Sequence, residues 1–415
     1  MTAGARHYAI VTAAYWGFTL TDGALRMLVL LHFFRLGYSP FTLALLFLLY
    51  EAAGVAANLI GGWLAVRYGV TRMLAVGLTT QIGGFLLLSA LSPGWTAAAS
   101  VAWVVLAQAV CGVAKDLTKT ASKSAIKTAE AAARTQDDAG RLFHWVAWFT
   151  GSKNAMKGIG FFLGGLLLEA LGFRGALWAM ALALGLILIG VVGALPARFG
   201  KAKASASARE LFSRSRGVNL LALARIALFG ARDVWFVVGV PVFLSASGWS
   251  FTLVGSFLAL WTIGYGLAQG LAPALIARSA DGLSAEAPAA RLWSLALALT
   301  PFGLAAVLAV APGPRPDLVL VLGLCLFGLA FAVNSSLHSY LILAYAGSEN
   351  AAEDVGFYYA ANAVGRFTGT LLSGLLYQAA GLTACLMGSG IMLALCWFVT
   401  LALPDQREPS VTAPR

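Results

Sequence analysis

The chain has 415 residues, of which 60% are hydrophobic and only 11% are charged, and its formal net charge is +11. A mean hydropathy of +0.83 leaves too little polar surface for a water-soluble globule, so the lipid bilayer must be the solvent of this chain. In a membrane protein this positive charge is better explained by basic cytoplasmic loops, as the positive-inside rule describes, than by nucleic-acid binding. The four cysteines are scattered and indicate neither a disulfide framework nor a metal site.

Apolar runs bounded by Gly, Pro and charge clusters predict twelve membrane-spanning helices, because about 20 apolar residues cross the hydrocarbon core. The runs are 8–31, 41–66, 71–91, 97–114, 142–171, 175–195, 218–245, 250–277, 291–311, 318–346, 353–380 and 381–403. The first run is too long for a cleaved signal peptide and is expected to stay as a helix.

The distribution of Lys and Arg over the loops predicts the orientation of the helices. On one set of alternate loops stand only Arg35, Arg174 and Arg315, so these loops are assigned to the outside. Both termini are then predicted to be cytoplasmic, in a bacterial inner membrane. We predict an all-α protein with a six-helix half at 1–195, a basic cytoplasmic linker at 196–217, a second six-helix half at 218–403 and a cytoplasmic tail at 404–415.

An internal repeat supports two related halves. Residues 37–43 resemble residues 248–253, and an offset of 209 residues places Lys157 on Arg366 and Gly172 on Gly381. Two parallel six-helix halves are the layout of major facilitator transporters. The segment 62–72 is also similar to the loop signature of that superfamily, G-x-L-A-D-R-x-G-R-K, although Val66 stands at its acidic position.

Charged side chains within the spans are candidate site residues, because each costs about 2.5 to 3.5 kcal/mol at bilayer depth. Asp22 and Arg26 lie four residues apart and can pair with each other, as can Arg232 and its neighbour Asp233. Glu51 has no obvious local partner, so it is a candidate proton carrier, a partner of a cavity cation, or a carboxyl that is hydrogen-bonded to a neighbouring helix.

Lysines mark the ends of the fourth and fifth helices. Lys115 and Lys119 begin a stripe that continues at Lys123 and Lys127, and the first two are expected to reach the cavity. Lys153 and Lys157 form an i, i+4 pair without an acid within six residues, so they repel each other unless an anion or a distant carboxylate lies between them.

These cations predict a cavity for a multivalent oxyanion, with no catalytic residue, metal or cofactor. Glu51 and Asp233 are expected to serve in charge pairing or coupling. The expected substrate-binding residues are Asp22, Arg26, Lys115, Lys119, Lys153, Lys157, Arg232 and Arg366.

Four segments carry a more specific resemblance: 21–29, 114–127, 151–158 and 229–235. They resemble the ArsJ-type organoarsenical efflux permeases of the major facilitator superfamily. The resemblance implies arsenate resistance through export of 1-arseno-3-phosphoglycerate. A partner glyceraldehyde-3-phosphate dehydrogenase would make this ester when arsenate replaces phosphate in its reaction.

Three alternatives remain at this point. An organophosphate or phosphate exchanger of the same superfamily would use the same cations. A membrane-embedded enzyme is disfavoured because the chain has neither H-E-x-x-H nor G-x-S-x-G and its histidines are isolated. A receptor or scaffold would need an extramembrane module, and the longest predicted loop has only about twenty residues.

Overall fold

The computed structural model describes residues 3–131, 136–196, 216–276, 279, 283–310, 313–346 and 351–405. For residues 3–5, 57–67, 123–124, 126–131, 136–151, 273, 343, 346 and 351–359 it describes the backbone alone. All regular structure in these ranges is helical. The helices are α1 (Ala3–Arg35), α2 (Pro40–Tyr68), α3 (Val70–Ser89), α4 (Ala97–Ala131), α5 (Gln136–Ala194), α6 (Arg216–Phe236), α7 (Gly239–Ala246), α8 (Phe251–Leu271), α9 (Glu286–Val310), α10 (Pro316–Ala346) and α11 (Ala351–Leu401), with a short 3₁₀ turn at Ala272–Ala274.

Two of these helices are each long enough to cross a membrane twice. Helix α5 has 59 residues and bends at Gly172 (φ 67°), whereas α11 has 51 residues and bends at Gly381 (φ 68°). At 1.5 Å per residue, both exceed twice the roughly 30 Å of a hydrocarbon core. Gly permits the positive φ at each bend. The predicted spans that end at 171 and 380 therefore end at these bends.

The described residues contain nine helical stretches that are long and apolar enough to span a bilayer, and α2 adds the shorter apolar stretch Pro40–Ala56. Counting the second passes of α5 and α11 brings the described total to twelve, the number that the apolar runs predict. Large apolar side chains on the outer surface support a lipid environment, for example Leu182, Leu186 and Ile189, which lie on one face of α5 and are 68%, 64% and 71% exposed.

The repeat appears in the structure as two matching helix contacts. Helix α5 packs on the start of α8, where Gly165 meets the backbone of Phe251 and the Glu169 carboxylate accepts a hydrogen bond from the Thr252 amide (3.1 Å). Helix α11 packs on the start of α2 in the same way, through Gly374 against Pro40 and Phe41. There the Gln378 side-chain oxygen accepts a hydrogen bond from the Phe41 amide (3.2 Å). The α5/α8 contact therefore lies beside residues 247–251, and the α11/α2 contact lies beside residues 36–40.

Adding a methyl group at the α5/α8 contact is expected to destabilise the protein. A Cβ on Gly165 would collide with the Phe251 carbonyl oxygen, which is backbone and cannot rotate away. We expect Gly165→Ala to lower the free energy of unfolding by about 1 to 3 kcal/mol, as overpacking does. Thermal unfolding in detergent measures this change. Gly185→Ala is the matched control, because a Cβ at Gly185 meets nothing within 4 Å and Ala favours the helix. Equal midpoints for the two variants would contradict the prediction.

The predicted linker and tail lie largely outside the described residues, since 197–215 and 406–415 are not described. The division into two halves therefore stays a prediction. The side chains of the 62–67 part of the loop signature are likewise outside the description.

Candidate substrate-binding site

Glu51 on α2 is the centre of a buried charge network. Its side chain is only 2% exposed and contacts cations from three other helices. Arg26 of α1 donates to Oε1, Arg366 of α11 donates to the same oxygen at 2.6 Å, and Lys115 of α4 lies 3.9 Å from Oε2. A carboxylate that lies within 4 Å of three cations has the geometry of an internal counterion for them.

Arg366 extends this network to the second carboxylate. Its Nε lies 3.6 Å from Oδ2 of Asp233 on α6. The other oxygen of Asp233 pairs with Arg232 at 2.5 Å, as predicted for these neighbours. We call Arg26, Glu51, Lys115, Arg366, Asp233 and Arg232 the central network. Because Glu51 precedes the 197–215 segment and Asp233 follows it, Arg366 ties together parts of the chain that are far apart in sequence.

The expected pairing of Asp22 with Arg26 is wrong. Among the ion pairs of the described side chains, Arg26 pairs with Glu51, whereas Asp22 accepts a hydrogen bond of 2.5 Å from the Tyr50 hydroxyl. The Tyr50 ring lies 3.8 Å from Lys115 Nζ, a cation–π contact. Tyr50 and Glu51 are adjacent on α2, so one turn of this helix contacts Asp22 and Arg26 of α1 and Lys115 of α4.

The lysine pair of α5 faces the same region without a carboxylate of its own. Within the described side chains, neither Lys153 nor Lys157 has an acidic partner within 4 Å. The charges of Arg366, Arg26 and Arg232 act on Lys157, as does, more weakly, the negative charge of Asp22. Helix α5 approaches α1 closely at this level, where the Lys157 carbonyl oxygen meets Gly23. The pair therefore adds positive charge beside the central network.

Lys119 has a local partner that the sequence analysis missed. Its Nζ lies 3.8 Å from Oδ1 of Asp116, whose side chain is 2% exposed. The predicted span ended at residue 114, but α4 continues to Ala131 and carries Asp116 into the interior. The side chains of Lys123 and Lys127 are outside the description.

Positive charge exceeds negative charge in this interior region of the described structure. Seven cations stand against four carboxylates, so three positive charges are in surplus. The cations are Arg26, Lys115, Lys119, Lys153, Lys157, Arg232 and Arg366, and the carboxylates are Asp22, Glu51, Asp116 and Asp233. All of these cations except Lys153, whose side chain is exposed, are at least partly buried. A surplus of such cations is costly unless an anion compensates them, so the arrangement suits an oxyanion.

Comparison with known proteins decides the family. The sequence profile of the Major Facilitator Superfamily matches residues 8–285, which is more than half of the chain. The chain belongs to the Major Facilitator Superfamily. A comparison with curated proteins gives no match.

Solved structures agree with this facilitator fold. The nucleoside transporter NupG superposes with a TM-score of 0.71 at 15% sequence identity, over 95% of this chain and 98% of NupG. A D-xylose-proton symporter superposes with a TM-score of 0.67 at 13% identity, over 96% of this chain and 97% of the symporter. At these identities the likeness shows the fold alone. This facilitator is therefore a multi-pass membrane protein of a transporter family.

The structure of this facilitator brings most of the predicted site residues together. Arg26, Lys115, Arg232 and Arg366 meet in the central network with the predicted pairing residues Glu51 and Asp233. Asp22 joins through Tyr50, Lys157 lies beside the network, and Lys119 is tied to Asp116. Tyr50 was missed because a single Tyr in an apolar helix has no periodic signal. Asp116 was detectable in principle, since it follows Lys115 directly.

Proposed function

We propose that this facilitator exports an anionic substrate, specifically the organoarsenical 1-arseno-3-phosphoglycerate, and that this export confers resistance to arsenate. The proposal places the chain in a bacterial inner membrane with both termini cytoplasmic. Its functional partner is a glyceraldehyde-3-phosphate dehydrogenase, which supplies the ester. The resemblance of four segments to ArsJ-type permeases supplies the identity of the substrate.

The observation that carries the proposal is the surplus of cations around Glu51. Lys153 and Lys157 have no carboxylate within 4 Å among the described side chains, and the cations beside them share the two carboxylates of the central network. An ester that carries a phosphate and an arsenate group has several negative charges and many acceptor oxygens. Such a ligand would balance the surplus and accept the spare donors of the Arg and Lys side chains.

The central network suggests how the protein keeps several cations in its interior when no substrate is bound. Glu51 and Asp233 act as internal counterions for Arg26, Arg366 and Arg232, which lowers the cost of keeping these cations in the interior. An entering oxyanion competes with these carboxylates for the guanidinium groups. Because Arg366 bridges Glu51 and Asp233, a substrate that draws Arg366 away loosens a link between α11, α2 and α6. An inside-negative membrane favours outward movement of an anion by about 2.3 kcal/mol per charge per 100 mV, so proton exchange is not required.

Growth on arsenate tests the proposal. We expect an arsenic-sensitive bacterial host to become resistant only when it expresses both this chain and the partner dehydrogenase, because the dehydrogenase makes the ester and the permease removes it. Hosts that express either protein alone are the controls. Lack of resistance with both proteins present at normal levels would refute the organoarsenical substrate.

The second candidate is an organophosphate or phosphate exchanger, which the same cation surplus favours. Exchange of labelled phosphate in proteoliposomes distinguishes the two candidates. An exchanger moves labelled phosphate when a counter-anion is present on the other side, whereas the proposed exporter, whose substrate is the ester, is not expected to move the label.

A further inference from the structure

Tyr50 of α2 contacts α1 and α4 through a buried side chain that carries no charge near neutral pH. Its hydroxyl donates a hydrogen bond of 2.5 Å to Oδ1 of Asp22 on α1. Its ring centre lies 3.8 Å from Lys115 Nζ on α4. Helix α4 also packs on the backbone here, since a Cβ on Gly112 would meet the Tyr50 carbonyl oxygen at 2.6 Å. The Tyr50 ring therefore has a fixed place between α1 and α4.

Asp22 lies among cations but forms an ion pair with none of them in the described structure. It is one turn from Arg26 on α1, a spacing at which an acid and an arginine ordinarily attract each other. Its charge also acts, more weakly than those of the arginines, on Lys157. Arg26 nevertheless pairs with Glu51. The hydroxyl of Tyr50 is the hydrogen-bond partner that holds the Asp22 carboxylate instead.

This arrangement matters in an anion site because carboxylates of the protein compete with an anionic substrate for the same donors. Glu51 and Asp233 already act as counterions in the central network. A third carboxylate that was free to turn towards Arg26 or Lys157 would occupy N–H groups that an oxyanion needs. A neutral hydroxyl satisfies an oxygen of Asp22 without engaging a cation. The cations beside Asp22 therefore keep their donors for the substrate.

We propose that Tyr50 is a positioning residue that raises the affinity of the site for an anion. Its hydroxyl holds Asp22 away from Arg26 and Lys157, and its ring holds the Lys115 ammonium in place. The face of the ring attracts the ammonium without neutralising its charge, so Lys115 stays available to an oxyanion. Tyr50 acts through Asp22 and Lys115 and does not itself bind the substrate. This inference rests on the proposed function and adds a determinant of anion affinity to the same site.

Binding of 1,3-propanediol bisphosphate, a stable anion with a phosphate at each end, tests the proposal by isothermal titration calorimetry on the purified full-length protein. Tyr50→Phe keeps the ring but removes the hydroxyl, so the released Asp22 competes for the cations and the affinity is expected to fall about five- to tenfold. When Asp22→Asn is also present, no carboxylate remains to compete, and Tyr50→Phe is expected to change the affinity by about twofold or less. Asp22→Asn alone is expected to bind at least as tightly as the unmodified protein.

Two further variants separate the ring from the hydroxyl and control for a lost hydrogen bond. Tyr50→Leu also removes the ring, so a further severalfold loss of affinity is expected that Asp22→Asn does not restore. Tyr345→Phe removes a hydroxyl that donates to the Pro404 carbonyl oxygen near the end of α10 at 2.7 Å, and it should leave the affinity unchanged.

The proposal predicts losses that depend on the charge of Asp22, whereas a merely structural role of the Tyr50 hydroxyl predicts equal losses with and without Asp22→Asn. Equal losses, unchanged affinity of Tyr50→Phe, or weaker binding by Asp22→Asn alone would overturn it. A Tyr50→Leu protein that binds as tightly as Tyr50→Phe would overturn the role of the ring. If the unmodified protein does not bind the bisphosphate, the inference falls, and arsenate resistance of the co-expressing host then decides the proposed function separately.

Discussion

Replacement of Glu51 by Gln is expected to destabilise the protein by about 3 kcal/mol, because breaking a buried ion pair leaves the partner charges without compensation. Arg26 and Arg366 lose the negative charge that they share, and Lys115 loses its nearest carboxylate. We expect the lower end of the range of free energies that is usually lost when a buried ion pair is broken, because solvent partly screens two of the cations. The side chains of Lys115 and Arg366 are 15% and 20% exposed, whereas that of Arg26 is only 8% exposed. Thermal unfolding of the purified protein, followed by tryptophan fluorescence, measures the loss.

Glu169→Gln is the matched control for this change. Glu169 is also a helix carboxylate that binds a neighbouring helix, but Gln378 occupies the corresponding place in the repeat and makes the same kind of contact to the Phe41 amide. We expect the control to unfold near the temperature of the unmodified protein. A second variant, Glu51→Gln with Arg366→Gln, should recover part of the loss, because it removes one of the uncompensated cations. A Glu51→Gln protein as stable as the control would show that Glu51 is not the counterion of the network.

Changing both Lys153 and Lys157 to Ala is expected to abolish arsenate resistance in the co-expressing host. A hydrogen bond to a charged group is worth about 1.5 to 3 kcal/mol, so losing two such contacts to the substrate lowers its affinity by roughly 100-fold or more. The same change should not lower the thermal stability. It removes two cations that have no carboxylate within 4 Å in the described structure and that repel Arg26, Arg225, Arg232 and Arg366.

The combination of lost transport and retained stability distinguishes substrate contacts from structural ones. The control variant removes two cations elsewhere, Arg291→Ala with Arg315→Ala, which pair with Asp405 and Asp317 at the ends of helices. It should keep resistance, provided that both variants reach the membrane in equal amounts by immunoblot. Full resistance of the double lysine variant would remove Lys153 and Lys157 from the substrate path.

The sequence by itself determined the membrane-spanning segments, the places where the two longest helices bend and the positions of the internal cations. Hydropathy is summed along a continuous stretch of chain, so a membrane-spanning segment is visible without knowledge of its neighbours. The bends at Gly172 and Gly381 coincide with the predicted ends of two spans, because Gly tolerates the positive φ that a sharp turn between helices needs. The 209-residue offset that places Gly172 on Gly381 also relates Gly165 to Gly374, and these two glycines make equivalent contacts.

Only the tertiary structure decided which charges meet. Spacing along one helix suggested that Arg26 pairs with Asp22. In the structure Arg26 pairs instead with Glu51, 25 residues away, and Glu51 also pairs with Arg366, 315 residues away. Hydrogen bonds to the Ser335 hydroxyl likewise join α10 to α6 and α8. Ion pairs and hydrogen bonds depend on distances of a few ångströms between side chains of different helices. Helix packing sets these distances, and the periodicity of a single helix carries no information about them.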